Sequence, residues 1–240
     1  HQDLDSWRGA DFGVKTYNIV GCGAPTIGKI LVVNKEASGF EYGLSYINGD
    51  ATVPLRSAES VGADKTYYVN SVEHATMPSA NGIRQLVASI LVNQELSFDF
   101  NQFANVWQDK NSCTFSGKQI SFHSPVELHI YDSQNRHTGP TPQGDIENNI
   151  PGVQYDVIEN NKFAFLPEDG TYIVTAKATD IGTFNARIQT VQNEQVVQTQ
   201  YYNEIPLITL QTNAQLTIVP NQTDFTIQLD QDGDHVFESQ

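Results

Sequence analysis

From about Ser97 to the end of the chain, apolar residues come in short runs at strand spacing, broken by turn residues, and this restricts the second half to β-structure. The runs are Gln119 to Phe122, Val126 to Tyr131, Lys162 to Leu166, Thr171 to Ala178, Thr183 to Val191, Val196 to Tyr202, Leu207 to Leu210, Gln215 to Val219 and Phe225 to Leu229. They are rich in Thr, Val, Ile and Tyr, which suit a pleated and half-buried surface. Glu168-Asp169-Gly170 and Pro220-Asn221-Gln222 supply turns between them. So many short strands predict two packed sheets, a β-sandwich over 113–240, reached through a linker over 97–112.

The first half follows a different grammar. Thr16 to Val20 reads as a buried strand that ends at the turn Gly21-Cys22-Gly23-Ala24-Pro25. Ile30 to Val33 and Glu41 to Ile47 read as a hairpin or a pair of short strands, and Thr66 to Val72 as another strand. In Gly82 to Leu91, apolar residues at Ile83, Leu86, Val87, Ile90 and Leu91 have helical spacing. A short helical segment is also expected around Phe100 to Trp107. The order strand, loop, helix predicts an α/β portion over 1–96.

Chemistry concentrates on two loops of that portion. Asp50 lies in Ile47-Asn48-Gly49-Asp50-Ala51-Thr52-Val53-Pro54, an acid on a tight turn directly after a strand. His74 follows in Glu73-His74-Ala75-Thr76-Met77-Pro78, just past a strand and before the helix. If the strands that carry them run parallel, both loops leave the sheet at one edge. The carboxylate can then accept the imidazole N–H, fix its tautomer and stabilise the imidazolium formed when the ring takes a proton from a serine. Each residue alone has a plainer explanation, a turn carboxylate holding backbone N–H groups and a solvated loop histidine; the pairing and its flanking motif carry the argument. Glu73 and Asp64 are competing acids outside the motif and read as surface charges.

These residues resemble the lecithin:cholesterol acyltransferase-like branch of the α/β-hydrolases, the lipases and acyltransferases. That branch has a Gly-x-Gly-x-Pro-Thr turn after a strand, here Gly21-Cys22-Gly23-Ala24-Pro25-Thr26, and a Gly-Asp-Gly-Thr-Val-Pro loop, here Gly49-Asp50-Ala51-Thr52-Val53-Pro54. The resemblance covers about 12–93 and departs at Ala51, where the family has glycine. It implies that Asp50 is the catalytic acid, His74 the catalytic base, and that 1–96 is the C-terminal part of an α/β-hydrolase domain. The sandwich half, on a weaker likeness, resembles immunoglobulin-like modules behind bacterial surface or secreted enzymes, serving as a brace or as a binding module.

The nucleophile is not legible. No Gly-x-Ser-x-Gly elbow occurs; the nearest approach, Gly43-Leu44-Ser45-Tyr46-Ile47, sits inside a strand-like run. The resemblance therefore implies a serine in a hydrolase segment preceding His1, a parent enzyme acting on lipid esters through an acyl-enzyme, and a chain inactive without that segment. The alternative is a non-catalytic binding or adhesion module on a vestigial hydrolase-like support. A missing segment also predicts an uncovered sheet edge and a tendency to associate.

Composition narrows the partners. Thirteen basic against 28 acidic residues leave a formal charge of −15, which repels nucleic acid phosphates and anionic lipid heads. No apolar run is long enough for a transmembrane segment. An extracellular or cell-surface location is the expectation. Cys22 and Cys113 are read as two unpaired buried thiols, with a disulfide left open. His123, His129, His137 and His235 show no catalytic pattern and read as structural or exposed. No cofactor is required, but Asp230-Gln231-Asp232-Gly233-Asp234 and Glu238 cluster oxygen ligands around a glycine, so Asp230, Asp232 and Asp234 are candidates for a structural calcium, with a solvated acidic turn as the other reading. Asn221-Gln222-Thr223 fits a glycosylation acceptor, a tripeptide common by chance.

Overall fold

The computed structural model describes residues 12–35, 39–103, 105–123 and 125–238. The opening residues 1–11, part of the expected hydrolase portion, lie outside the described residues. The chain divides into two compact units, one formed by 1–31 and 44–115, the other by 32–43 and 116–240.

In the smaller unit, β1 (Tyr17–Cys22) is followed by a long hairpin, β2 (Ala24–Lys35) and β3 (Gly39–Gly49), whose far end belongs to the larger unit. A single helical turn, Leu55–Ala58, leads to β4 (Lys65–Asn70), then the helix Asn81–Leu91, then β5 (Val106–Trp107). β4 is the centre of a three-stranded sheet, parallel to β1 and antiparallel to β5. The two faces of this sheet are covered differently. On one, Ile83 and Leu86 of the helix pack with Tyr67, Val69, Met77 and Val106. Each of these aliphatic side chains contributes about 2 kcal/mol by leaving water. On the other, Val20 and Cys22 pack with Leu55 and Cys113.

The larger unit is a β-sandwich. Its strands are β6 (Gly117–His123), β7 (Val126–Asp132), β8 (His137–Pro140), β9 (Ile146–Asn148), β10 (Gln154–Ile158), β11 (Asn161–Pro167), β12 (Tyr172–Ala178), β13 (Gly182–Gln192), β14 (Gln195–Leu207), β15 (Asn213–Ile218) and β16 (Gln228–Asp230). They form a five-stranded sheet in the order β10-β11-β6-β13-β14 and a six-stranded sheet in the order β16-β15-β12-β7-β8-β9. Alternation builds the core between them. Val126, Leu128 and Ile130 of β7, Val174 and Ala176 of β12, and Ala214, Leu216 and Ile218 of β15 face Ile120 and Phe122 of β6 and Phe184, Ala186 and Ile188 of β13. Among the described residues no helix is long and apolar enough to cross a membrane.

The structure overturns the α/β-hydrolase portion and, with it, the resemblance to the lecithin:cholesterol acyltransferase-like branch. Strands make up 50% of the structure and helix 13%, in several antiparallel sheets. An α/β-hydrolase is built on a mostly parallel sheet with helices over both faces. Here one parallel pair meets an antiparallel edge, and one face is covered by a single helix. Smaller differences have local causes. Phe100 to Trp107, expected as helical, forms one 3-10 turn at Phe100–Gln102 and then β5, while Phe98, Phe100 and Phe103 pack on the core of the smaller unit. That anchoring occupies the span expected as a linker. Leu207 to Leu210, expected as a strand, is the end of β14 followed by a turn closed by Thr212 N–H donating to the Thr209 carbonyl. β8 and β9 were not legible because their apolar residues are few, and β10 because none of its side chains is fully buried.

Cys22 and Cys113 form a disulfide, with Cα atoms 5.3 Å apart and 91 residues of separation. The expectation of two free thiols fails because β1 and the segment before β6 belong to one unit rather than two. A loop of that length, if closed, removes on the order of 4 kcal/mol of unfolded-state entropy in the chain-entropy account. We expect the double variant Cys22→Ser, Cys113→Ser to lose about 3 kcal/mol of stability, read as a lower denaturation midpoint. An unchanged midpoint, or thiols that alkylate in the denatured protein without reduction, would disprove the bond.

Candidate functional site

Asp50 is positioned by close backbone approach. β3 ends at Gly49, which bridges to Pro54 across the tight loop. A Cβ on Gly49 would lie 2.4 Å from both Thr26 Oγ1 and the Val53 carbonyl, so only glycine fits. Asp50 itself is 3% exposed. Its Oδ1 accepts the Val53 N–H at 2.6 Å and the Thr52 N–H at 3.2 Å, as a buried carboxylate requires. Gly21 in β1 makes the space alongside it: a Cβ there would lie 2.4 Å from Asp50 Cβ and 2.5 Å from Met77 Cε.

His74 meets this loop twice. Its backbone N–H donates to the Asp50 carbonyl at 3.0 Å, and its Nδ1 lies 2.9 Å from Asp50 Oδ2. The loop that carries it leaves β4 through Ser71, at φ 56°, whose N–H donates to the Cys22 carbonyl at 2.9 Å. So the ends of the parallel strands β1 and β4 are tied together immediately before the histidine. The imidazole is half exposed, at 51%, against 4% for the Asp50 side chain. An ionised carboxylate can only accept, so the Nδ1–H tautomer is favoured and the lone pair is left on Nε2. Among the described residues Nε2 has no hydrogen-bond partner.

Three further residues shape the site without having been singled out in the sequence. Thr26 Oγ1, buried, accepts the Ala51 N–H at 2.9 Å and donates to the Ala24 carbonyl at 3.2 Å. It thereby holds Ala51 at φ 69°, a left-handed conformation unusual for alanine. Asn48, also buried, accepts the Gly23 N–H at 2.8 Å and donates to the Cys113 carbonyl. Met77 closes the apolar side against Gly21 and Asp50. Thr26 closes the Gly-x-Gly-x-Pro-Thr turn, but nothing in the sequence marks its role or those of Asn48 and Met77, because a buried Thr, Asn or Met is identified only by what it touches.

The other candidates separate clearly. Asp64 is exposed and accepts the Thr16 N–H at 2.7 Å, a bond that holds its carboxyl below the usual range; Glu73 is exposed. Neither is hydrogen-bonded to His74. Ser45 lies within β3. Asp230, Asp232, Asp234 and Glu238 can bring one oxygen each within 4.8 Å of one another. Both oxygens of Asp230 already accept backbone N–H groups, from Gly233 at 2.8 Å and His235 at 3.1 Å, so the turn accounts for the buried member. The exposed members supply the oxygen chemistry calcium takes. His123 is held by Asn161, and His129 and His137 by each other.

No protein family, curated protein or solved structure matches this chain. The chemistry of the site therefore rests on its own geometry.

That geometry makes the loop sensitive in opposite directions at neighbouring positions. Gly49→Ala should lower stability by on the order of 2 kcal/mol through its clash with Thr26 and Val53. Ala51→Gly should raise it by about 0.5–1 kcal/mol, because glycine adopts positive φ without penalty. Denaturant unfolding of the two variants measures both; equal effects of one sign would refute this account of the loop.

Proposed function

We propose that Asp50 and His74 are the acid and base of a serine-type site for ester chemistry, hydrolysis or acyl transfer, whose nucleophile is supplied by polypeptide beyond these residues. The observation that supports it is the buried carboxylate on Nδ1 of a half-exposed imidazole whose Nε2 is unpartnered among the described residues. Chemistry of this kind needs that division of labour. Asp50 orients the ring and stabilises its cationic form, and Nε2 takes the proton of an attacking hydroxyl and returns it to the leaving group. Lipid esters are the proposed substrate class, and the immunoglobulin-like sandwich a brace. The disulfide favours an oxidising compartment, in keeping with an extracellular or cell-surface protein.

Two measurements test this. In the 240-residue protein, ¹⁵N spectra should show His74 protonated at Nδ1, and Asp50→Asn should abolish that preference. In the protein carrying its nucleophile, hydrolysis of a chromogenic ester should fall by roughly 10³-fold or more in both Asp50→Asn and His74→Ala. Full activity of His74→Ala would remove the assignment.

A further inference from the structure

A second histidine–carboxylate system lies in the sandwich, at the β7, β8 and β9 side of the six-stranded sheet. Glu147 Oε1 on β9 lies 2.5 Å from His137 Nδ1 on β8, and His137 Nε2 lies 3.0 Å from His129 Nδ1 on β7. His129 is nine-tenths buried, and among the described residues its Nε2 has no hydrogen-bond partner; Glu127 Oε2 lies 3.8 Å from it. Gly139, at φ 144°, lets the β8 backbone lie on this pair: a Cβ there would meet the Leu128 carbonyl at 2.7 Å and His137 Nε2 at 3.2 Å.

The backbone ladder under these side chains is short. β7 pairs with β8 at Ile130–Thr138 and Tyr131–His137, and β8 with β9 from Thr138–Asn148 to Pro140–Ile146. The chain Glu147–His137–His129 runs across all three strands. We propose that it is an acid-released latch that holds the β8–β9 ribbon on the edge of β7.

Proton counting gives the mechanism. With Glu147 ionised, His137 donates Nδ1–H to it and accepts at Nε2 from His129 Nδ1–H; both rings are neutral. One added proton is tolerated, since His137 can then donate from both nitrogens while His129 accepts at Nδ1 and carries its proton on Nε2, toward Glu127. A second places N–H against N–H at 3.0 Å, with two positive charges and no lone pair between them. The hydrogen bond is then lost. The charged groups facing the pair are Glu127 on β7, Glu147 on β9 and Lys177 on β12, with the Tyr131 ring 4.8 Å from His137 and tilted 31° to it. Burial, the Lys177 ammonium and His137 together push His129 down to about 4. An unfolded histidine titrates near 6.5, so the released state binds more protons between those values. Stability of the ribbon is therefore full above about pH 6.5 and is lost as pH falls toward 4.

Hydrogen exchange of the 240-residue protein, corrected for intrinsic rates, tests the latch. Between pH 7 and pH 4.5, protection of amides in 137–149 should fall at least tenfold more than that of amides in Phe184 to Val191 on β13. His129→Gln should remove this difference. Equal loss in both regions, or an undiminished pH step in the variant, overturns the proposal. Should the variant fail to fold, side-chain ¹⁵N titration of the parent protein decides: His129 neutral down to about pH 5 is expected, and independent titration near 6.5 refutes the latch.

Discussion

Apart from β1, the elements that position the candidate site lie inside one covalent loop. The disulfide joins the last residue of β1 to the segment just before β6, and the hairpin, the Asp50 loop, the His74 loop and the helix all fall between its two cysteines. Its effect is local as well as global. The Cys22 carbonyl accepts from Ser71 at the start of the histidine loop, and the Cys113 carbonyl accepts from Asn48, two residues ahead of Asp50. One cross-link thus fixes both strands that present the pair. A small sheet with one covering helix has little apolar surface to do this by packing alone.

Within that frame, the accuracy of the pair comes from satisfying a buried carboxylate. Asp50 cannot leave its turn without abandoning two backbone donors, and it cannot rotate without losing His74. Thr26 then holds Ala51, at positive φ, in a conformation whose cost the surrounding hydrogen bonds offset. Strain of this kind persists where several contacts over-determine a loop, and it is found where geometry has to be kept.

The sequence made some levels legible and concealed others for physical reasons. Most strands of the sandwich follow from alternation, since each has a water side and a core side; β8, β9 and β10 escaped because none of them contributes a fully buried apolar side chain. The helix was legible because Ile83, Leu86 and Ile90 share a face. The juxtaposition of Asp50 and His74 was legible as a conditional, requiring loops that leave the sheet together. What misled was treating two glycine turns as evidence of a whole fold. Gly21 and Gly49 are needed because Asp50, Met77 and Thr26 approach within a Cβ's distance, and any tight acid-bearing loop beside a strand creates the same demand. Such a motif reports local crowding, not the number or direction of the strands around it. The disulfide stayed hidden because the two cysteines are separated by the whole content of the smaller unit.

The two histidine systems show how burial alone divides one chemistry into two roles. In each, a carboxylate holds Nδ1 of an imidazole and leaves the far nitrogen to its surroundings. At His74 the ring is half exposed and that nitrogen has no partner among the described residues, so a proton can be taken and given back without disturbing the fold, which is what a general base requires. At His137 it meets a second imidazole that is itself buried, so protons accumulate on a pair that cannot move apart without shifting a strand. In the roles proposed for them, the first arrangement couples a proton to a reactant and the second couples protons to the sheet edge. Exposure of 51% in one case and 14% in the other separates them more decisively than any difference in residue type.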